Sequence, residues 1–241
     1  MKCFLLTDAG RIDRAKAAIV DAIAALPESR QTATTLIAFG AERAKKNDLA
    51  GGAELMAPVA AAFPGVAEIQ ADYGNLLTRL GRKREADAAL DRALAAAPND
   101  ERTARTRAVA AMLLRDYPRA RGAYDALFRA KRSANDQFAS AAAAYGVDPK
   151  GAVEVMRSLA VPAAGADPGM SDLANLYALA GTAGAGSTAA MSLARRLVGS
   201  QQLVIAIPVL DRAAKADPKN AEAKKLLAEV YEGLGAPGLA K

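Results

Sequence analysis

The sequence predicts an all-α chain built of antiparallel helix pairs, and three observations carry that expectation. Apolar residues recur at spacings of three and four rather than two, which puts them on one face of a helix. Residues of like kind recur 34 positions apart along several independent columns. Aromatic residues make up only 5% of a chain that is 52% hydrophobic, so the core must be packed from Ala, Leu, Val and Met, a composition suited to closely approaching helices.

Taken in order, the first helix is carried by Ala15, Ala18, Ile19, Ala22 and Ile23 and stopped by Pro27. Breaks are expected at Gly51-Gly52, Pro64-Gly65, Gly81, Pro98-Asn99-Asp100, Pro118 and Pro218-Lys219-Asn220. They leave helices of about 12 to 14 residues joined by short turns, which makes neighbours antiparallel. Leu76, Leu77 and Leu80 keep the helical spacing in mid-chain, as do Leu226, Leu227, Val230 and Tyr231 near the end. The closing prolines at 27, 64, 98 and 218 lie 37, 34 and 120 residues apart. The last interval is three periods plus 18 residues, about one helix and its turn. The irregular stretch is therefore Asn135 to Gly186, with helices expected near Gln137 to Tyr145, Lys150 to Leu159 and Ser171 to Ala180 and a linker over Pro162 to Gly169. It reads as a degenerate repeat or as an insertion facing a groove. The expected organisation is repeats over 1–134, the irregular helical segment over 135–186, and a repeat with a terminal capping helix over 187–241.

Composition removes several function classes. With no His among 241 residues, the chain lacks the imidazole of Ser/His and Cys/His nucleophilic sites, of His-ligated metals and of histidine pH switches. The lone Cys3 permits neither an intramolecular disulfide nor a cysteine metal cluster. We therefore expect no enzyme activity, no cofactor and no metal. Asp8 ends the apolar start before a signal-peptide core forms, and no apolar run reaches the length of a membrane span. The expectation is a cytoplasmic chain without membrane insertion, or a periplasmic one if it belongs to a longer precursor.

The columns have a physical reading. Gly40, Gly74 and Ala108 form one of small residues; Gly52, Ala86 and Ala120 form a second. Met56, Leu90 and Tyr124 form a third, of large residues, and Val59, Ala93 and Leu127 a fourth, with Pro64 and Pro98 closing their repeats. The spacing returns from Ala194 to Ala228 and from Leu197 to Tyr231, where Ala206, Leu210, Ala213 and Pro218 fill the second-helix columns. Small residues belong where two helices cross closely and large ones fill the space beside them.

This arrangement resembles the tetratricopeptide repeat, a 34-residue helix pair. The best unit is Ala67 to Asp100, with Tyr73, Gly74, Ala86, Leu90, Ala93 and Pro98 in the family's places but Gln70 and Leu77 where aromatics are usual. Ala33 to Val66 matches through Leu36, Phe39, Gly40, Gly52, Met56, Val59 and Pro64, with Arg43 at the eleventh place; Glu101 to Ala134 matches through Ala108, Ala120, Tyr124 and Leu127, with Arg132 in place of proline. The resemblance implies a right-handed superhelical solenoid whose concave groove is lined by first-helix residues. Carried over, the groove positions include Asn75, Thr78 and Arg79 in one unit and Arg102, Arg105, Val109 and Met112 in the next. The family's chaperone-tail clamp is matched by Asn75 alone, with Ala71 and Thr106 at its other places.

Other motifs carry less. Gly181 to Thr188 is glycine-rich like a phosphate-binding loop but has no lysine and no preceding strand, so it reads as an inter-helix turn. Asp87 with Asp91, and Glu229 with Glu232, read as solvated helix faces. The net charge is +6, yet residues 79–132 hold 14 Lys+Arg against 7 Asp+Glu, so the middle of the chain is basic. The expected function is a non-enzymatic scaffold or adaptor binding a peptide segment or helix of an acidic protein partner. Two alternatives stand beside it: the repeat portion of a larger enzyme or envelope export machine, suggested by the shortened first unit and the stop at Lys241, and an RNA-binding repeat. The few aromatics in the basic stretch argue against nucleic acid.

Overall fold

A computed structural model describes residues 11–160, 174–178, 180 and 188–240, and every regular element among them is helical. In order these are α1 (Ile12–Ala25), α2 (Arg30–Lys45), α3 (Leu49–Ala62), α4 (Ala67–Arg79), α5 (Lys83–Ala96), α6 (Glu101–Leu113), α7 (Tyr117–Lys131), α8 (Ala134–Val147) and α9 (Pro149–Ala160). After the helical residues 174–178 come α10 (Thr188–Gly199), α11 (Leu203–Ala216), α12 (Ala221–Gly233) and a 3₁₀ turn, Pro237–Leu239. Two of the three helices expected in the irregular stretch are α8 and α9; the third is described only at 174–178 and 180. Cys3, the 162–169 linker and the glycine-rich residues 181–187 lie outside the described residues. The chain divides into two compact units, Met1–Thr106 and Arg107–Lys241.

In the first unit α2 packs on α3 and α4 on α5, while α1 and α4 both lie against α3. Local sequence starts several of these helices. The Ser29 hydroxyl accepts from Thr32 N at 3.1 Å at the head of α2, and Asp48 Oδ1 accepts from Gly51 N at 2.9 Å at the head of α3, each satisfying an amide the helix cannot pair itself. Gly51 and Gly52 were expected to break the chain, but both lie inside α3. The reason is tertiary: a Cβ on Gly52 would sit 2.7 Å from the Gly40 carbonyl oxygen, and one on Gly40 would sit 2.7 Å from the Gly52 oxygen. The two helices cross backbone to backbone, which only glycine permits at both positions. The residues of the four columns between 40 and 127 are buried, from Met56, Val59, Leu90 and Ala93 in this unit to Ala108, Ala120, Tyr124 and Leu127 in the next.

The repeat is also written in the backbone. Asn47, Gly81 and Arg115 have φ of 68°, 74° and 57°, each 34 residues after the last; Gln201 and Gly235, at 61° and 64°, are again 34 apart. At each corner the following amide reaches back to close the first helix of the pair: Asp48 N to Arg43 O at 3.1 Å, Arg82 N to Leu77 O at 2.9 Å, Asp116 N to Ala111 O at 2.9 Å, Gln202 N to Leu197 O and Ala236 N to Tyr231 O at 2.8 Å. These are Schellman closures, and they satisfy carbonyls that the helix end leaves open.

In the second unit α8 is the central element, packed against α7, α9 and α11. Its residues Phe138 to Tyr145 are all buried. Tyr177 meets Phe138 and Tyr145 edge to face, with ring centroids 5.5 and 5.6 Å apart, and its hydroxyl donates to Ile205 O. The irregular stretch therefore contributes a core helix, α8.

Candidate partner-binding face

The sequence places the candidate residues on the first helices of successive pairs, and in the first unit those helices are α2, α4 and the start of α6. Ion pairs join them in series. Arg30 on α2 donates to both carboxylate oxygens of Glu68 on α4 at 2.9 Å, and Arg102 on α6 donates to Asp72 on α4 at 3.2 Å. Arg105 donates to Glu101, one turn back on α6, at 3.2 Å. The head of α6 is fixed by Asp100, whose Oδ2 accepts from Thr103 N at 2.8 Å and from the Thr103 hydroxyl at 2.6 Å. Glu68 and Arg102 are each the second residue of their helix, and so is Glu222 in the other unit. There Glu222 on α12 accepts from Arg195 on α10 at 2.7 and 2.8 Å.

Along α4, Asn75 lies one turn beyond Asp72 and Arg79 one turn further, so the three share a strip. Asn75 is exposed, and its side chain makes no hydrogen bond among the described residues. Arg79 is half-buried, and that burial pulls its guanidinium below its ordinary pKa. Burial pushes the Asp72 carboxyl up; Arg102 draws it partly back down, and Glu68 pushes it up again. Such a strip presents an amide that can both donate and accept, flanked by the guanidinium groups of Arg79 and Arg102.

Not every predicted position reaches this face. Thr78 is fully buried and turns its hydroxyl onto the Gly74 carbonyl at 2.9 Å. Met112 is also fully buried. Both belong to the core and are corrected accordingly, because a place carried over from the repeat pattern ignores how deeply that helix is packed in this chain. Val109 is half-buried and lies in the second unit. Of the clamp positions, Ala71 is buried at 5% exposure and cannot contribute a surface contact. The carboxylates Glu68 and Asp72 and the partner Arg30 were not singled out as a set. The signal for them was the alternation of charge at equal places, Glu68 against Arg102, which suits pairing between neighbouring helices.

The basic middle is largely spoken for within the chain. Besides Arg102 and Arg105, Arg82 pairs with Glu85, Arg119 with Asp116, Arg121 with Asp125 and Arg115 with Asp211. Among the described residues no cluster of three or more carboxylate or thiol groups could hold a metal ion, and no helix is long and apolar enough to cross a membrane.

With two stacked helix pairs, three corners 34 residues apart, a further two at the same spacing and the small columns buried, the relevant comparison is with helical repeats. Residues 43–109 match the tetratricopeptide repeat. The matched segment runs from the end of α2 through α5 into α6, and so contains Asn75, Arg79, Arg102 and Arg105. Tetratricopeptide repeats generally mediate protein–protein interaction. Among solved structures, the chain is similar to a chain of the Naa15/Naa10 complex bound to HypK-THB, at 15% identity and a TM-score of 0.47, covering 97% of this chain and 33% of that one. It is also similar to PilF of Pseudomonas aeruginosa, at 14% identity and a TM-score of 0.43, covering 86% of each chain. The chain thus spans about a third of the length of the Naa15/Naa10 chain it matches. No curated protein matches it.

Proposed function

We propose that the strip on α4 and α6 holds an acidic segment of a protein partner, and that the chain acts as a non-enzymatic scaffold or adaptor. The observation that carries this reading is Asn75, an exposed amide with no side-chain partner among the described residues, set between Asp72 and Arg79 on a helix that faces Arg102. Asn75 donates to and accepts from the peptide backbone of the bound segment, while Arg79, Arg102 and Arg105 meet its carboxylates. The exchange is inexpensive. The Arg102–Asp72 and Arg105–Glu101 pairs are both 3.2 Å long and solvent-exposed, a class worth about 0 to 1 kcal/mol. An incoming carboxylate replaces one exposed partner with another in a drier setting.

The test is capture of partners by the wild-type chain and by the combined variant Arg79→Glu, Arg102→Glu, Arg105→Glu, with helicity compared first. The reading expects a discrete protein to be retained by wild type, released by added salt, and lost from the triple variant. Retention of the same proteins by the triple variant overturns it.

A further inference from the structure

We propose that a cleft in the second unit, between α11, α12 and the corner that precedes α7, binds an aliphatic monocarboxylate. The cleft has a volume of about 510 Å³ and is lined by Arg115, Asp211, Lys215, Lys224, Leu227, Tyr231 and Leu239 together with small alanines. That size falls within the range of about 300 to 1,000 Å³ common to small-molecule sites.

Its floor is a buried carboxylate with its donors already assigned. Asp211, 1% exposed, accepts from Arg115 Nη1 at 3.2 Å, from the Tyr117 hydroxyl at 2.8 Å and from Lys215 Nζ at 2.8 Å. Arg115 is held from a second side, since its Nε donates to the Tyr231 hydroxyl at 3.0 Å and that hydroxyl donates to Leu113 O at 3.0 Å. The guanidinium is therefore fixed before any ligand arrives, the kind of preorganisation that lowers the entropy lost on binding.

The charges do not balance. Three cations, Arg115, Lys215 and Lys224, line the cleft against one carboxylate, Asp211. Arg115 Nη2 and the Lys224 ammonium donate to nothing among the described residues. Two donors remain, and they match the two oxygens of a carboxylate. The rest of the wall is apolar: Leu227 and Leu239 side chains and the Tyr231 ring. Bare phosphate would leave that surface in water and bring a second negative charge toward Asp211. A single carboxylate with a branched aliphatic tail satisfies both halves of the site. The same group can arrive on a free acid or on a Glu side chain followed by an apolar residue in a peptide.

The full chain is titrated with 4-methylpentanoate, with its uncharged amide, and with acetyl-Glu-Leu-amide, whose only charge is a side-chain carboxylate. The expected result is saturable binding of at least one carboxylate probe with Kd of about 1 mM or tighter, and binding of 4-methylpentanamide at least about tenfold weaker than that of its acid. The exposed Lys224→Glu leaves the Asp211 network intact, and it should weaken carboxylate binding at least about tenfold with helicity unchanged. The tighter of the two carboxylate probes assigns the source as a free acid or a protein side chain. The proposal is overturned if the amide binds as tightly as the acid, if Lys224→Glu binds like wild type, or if neither carboxylate saturates the chain.

Discussion

Gln70 donates its side-chain amide to the carbonyl of Ala60 over 2.6 Å, joining the first turn of α4 to the end of α3. The same amide reaches Phe63 O at 3.2 Å, and Arg92 Nε on α5 donates to Gln70 Oε1 at 2.8 Å. The residue is fully buried, at a place where the tetratricopeptide repeat usually carries an aromatic. In place of a large ring it supplies a donor to the Ala60 carbonyl, which Pro64 cannot pair because it has no N–H. Gln70→Leu keeps the volume but strands the Ala60 carbonyl and the Arg92 Nε donor, and urea unfolding should show a loss of about 2 kcal/mol.

Two glycines of one column should respond differently to the same change. At Gly40 an added Cβ meets a backbone oxygen of α3 at 2.7 Å, whereas at Gly74 it meets Leu90 Cγ at 2.7 Å, part of a side chain with other rotamers. Gly40→Ala is therefore expected to cost about 3 kcal/mol and Gly74→Ala about 1 kcal/mol. Leu90→Val should recover part of the second loss and none of the first, measured by denaturant midpoint.

The carboxylates Asp48 and Asp72 in the first unit should give opposite pH dependence. The Gly51 amide, with help from Arg43, holds Asp48 below the ordinary carboxylate range despite partial burial. Its contribution is present above pH 4 or so and fades as pH falls through the lowered value. Asp72 is pushed up by burial, so the folded chain binds that proton more readily than the unfolded one, and its contribution is favourable in acid and becomes a cost above the raised value. At pH 7 Asp48→Ala is expected to lose about 1 kcal/mol, a difference that closes as the pH is lowered below about 3. Asp72→Asn should change stability by less than about 1 kcal/mol at pH 7, with its relative stability rising as pH is raised through the mild acid range.

Much of the fold was legible because close packing imposes volume limits that survive as residue size. Gly40, Gly52, Ala86, Met56 and Leu90 could be placed in the core from their spacing alone. The face was less legible. Thr78 has a polar side chain at a groove place, but its hydroxyl bonds within its own helix and the residue is buried, which spacing does not reveal. Gln70 could not be read as a clamp because its partners lie 7, 10 and 22 residues away on other elements. Gly51-Gly52 misled because glycine weakens a helix locally, while the crossing with α2 requires it.

The left-handed corners give a further pair of expectations. Gln201 is exposed and holds φ of 61° with a side chain that disfavours it. Gln201→Gly should raise the stability of the second unit by about 0.5 kcal/mol, the strain relieved outweighing the added freedom of the unfolded chain. Gly81→Ala, at φ of 74°, should lower that of the first by about 1 kcal/mol. Thermal unfolding of the two variants checks both signs.

Each of those corners is closed by hydrogen bonds spanning no more than six residues, so each helix pair that turns there sets its own phase without reference to its neighbours. The chain is modular in the way of movable type. A block of 34 residues cut from one corner to the next removes a whole character and returns the neighbouring faces to the same alignment. A cut of half that length leaves a first helix where a second is required, and the glycine and alanine columns no longer meet.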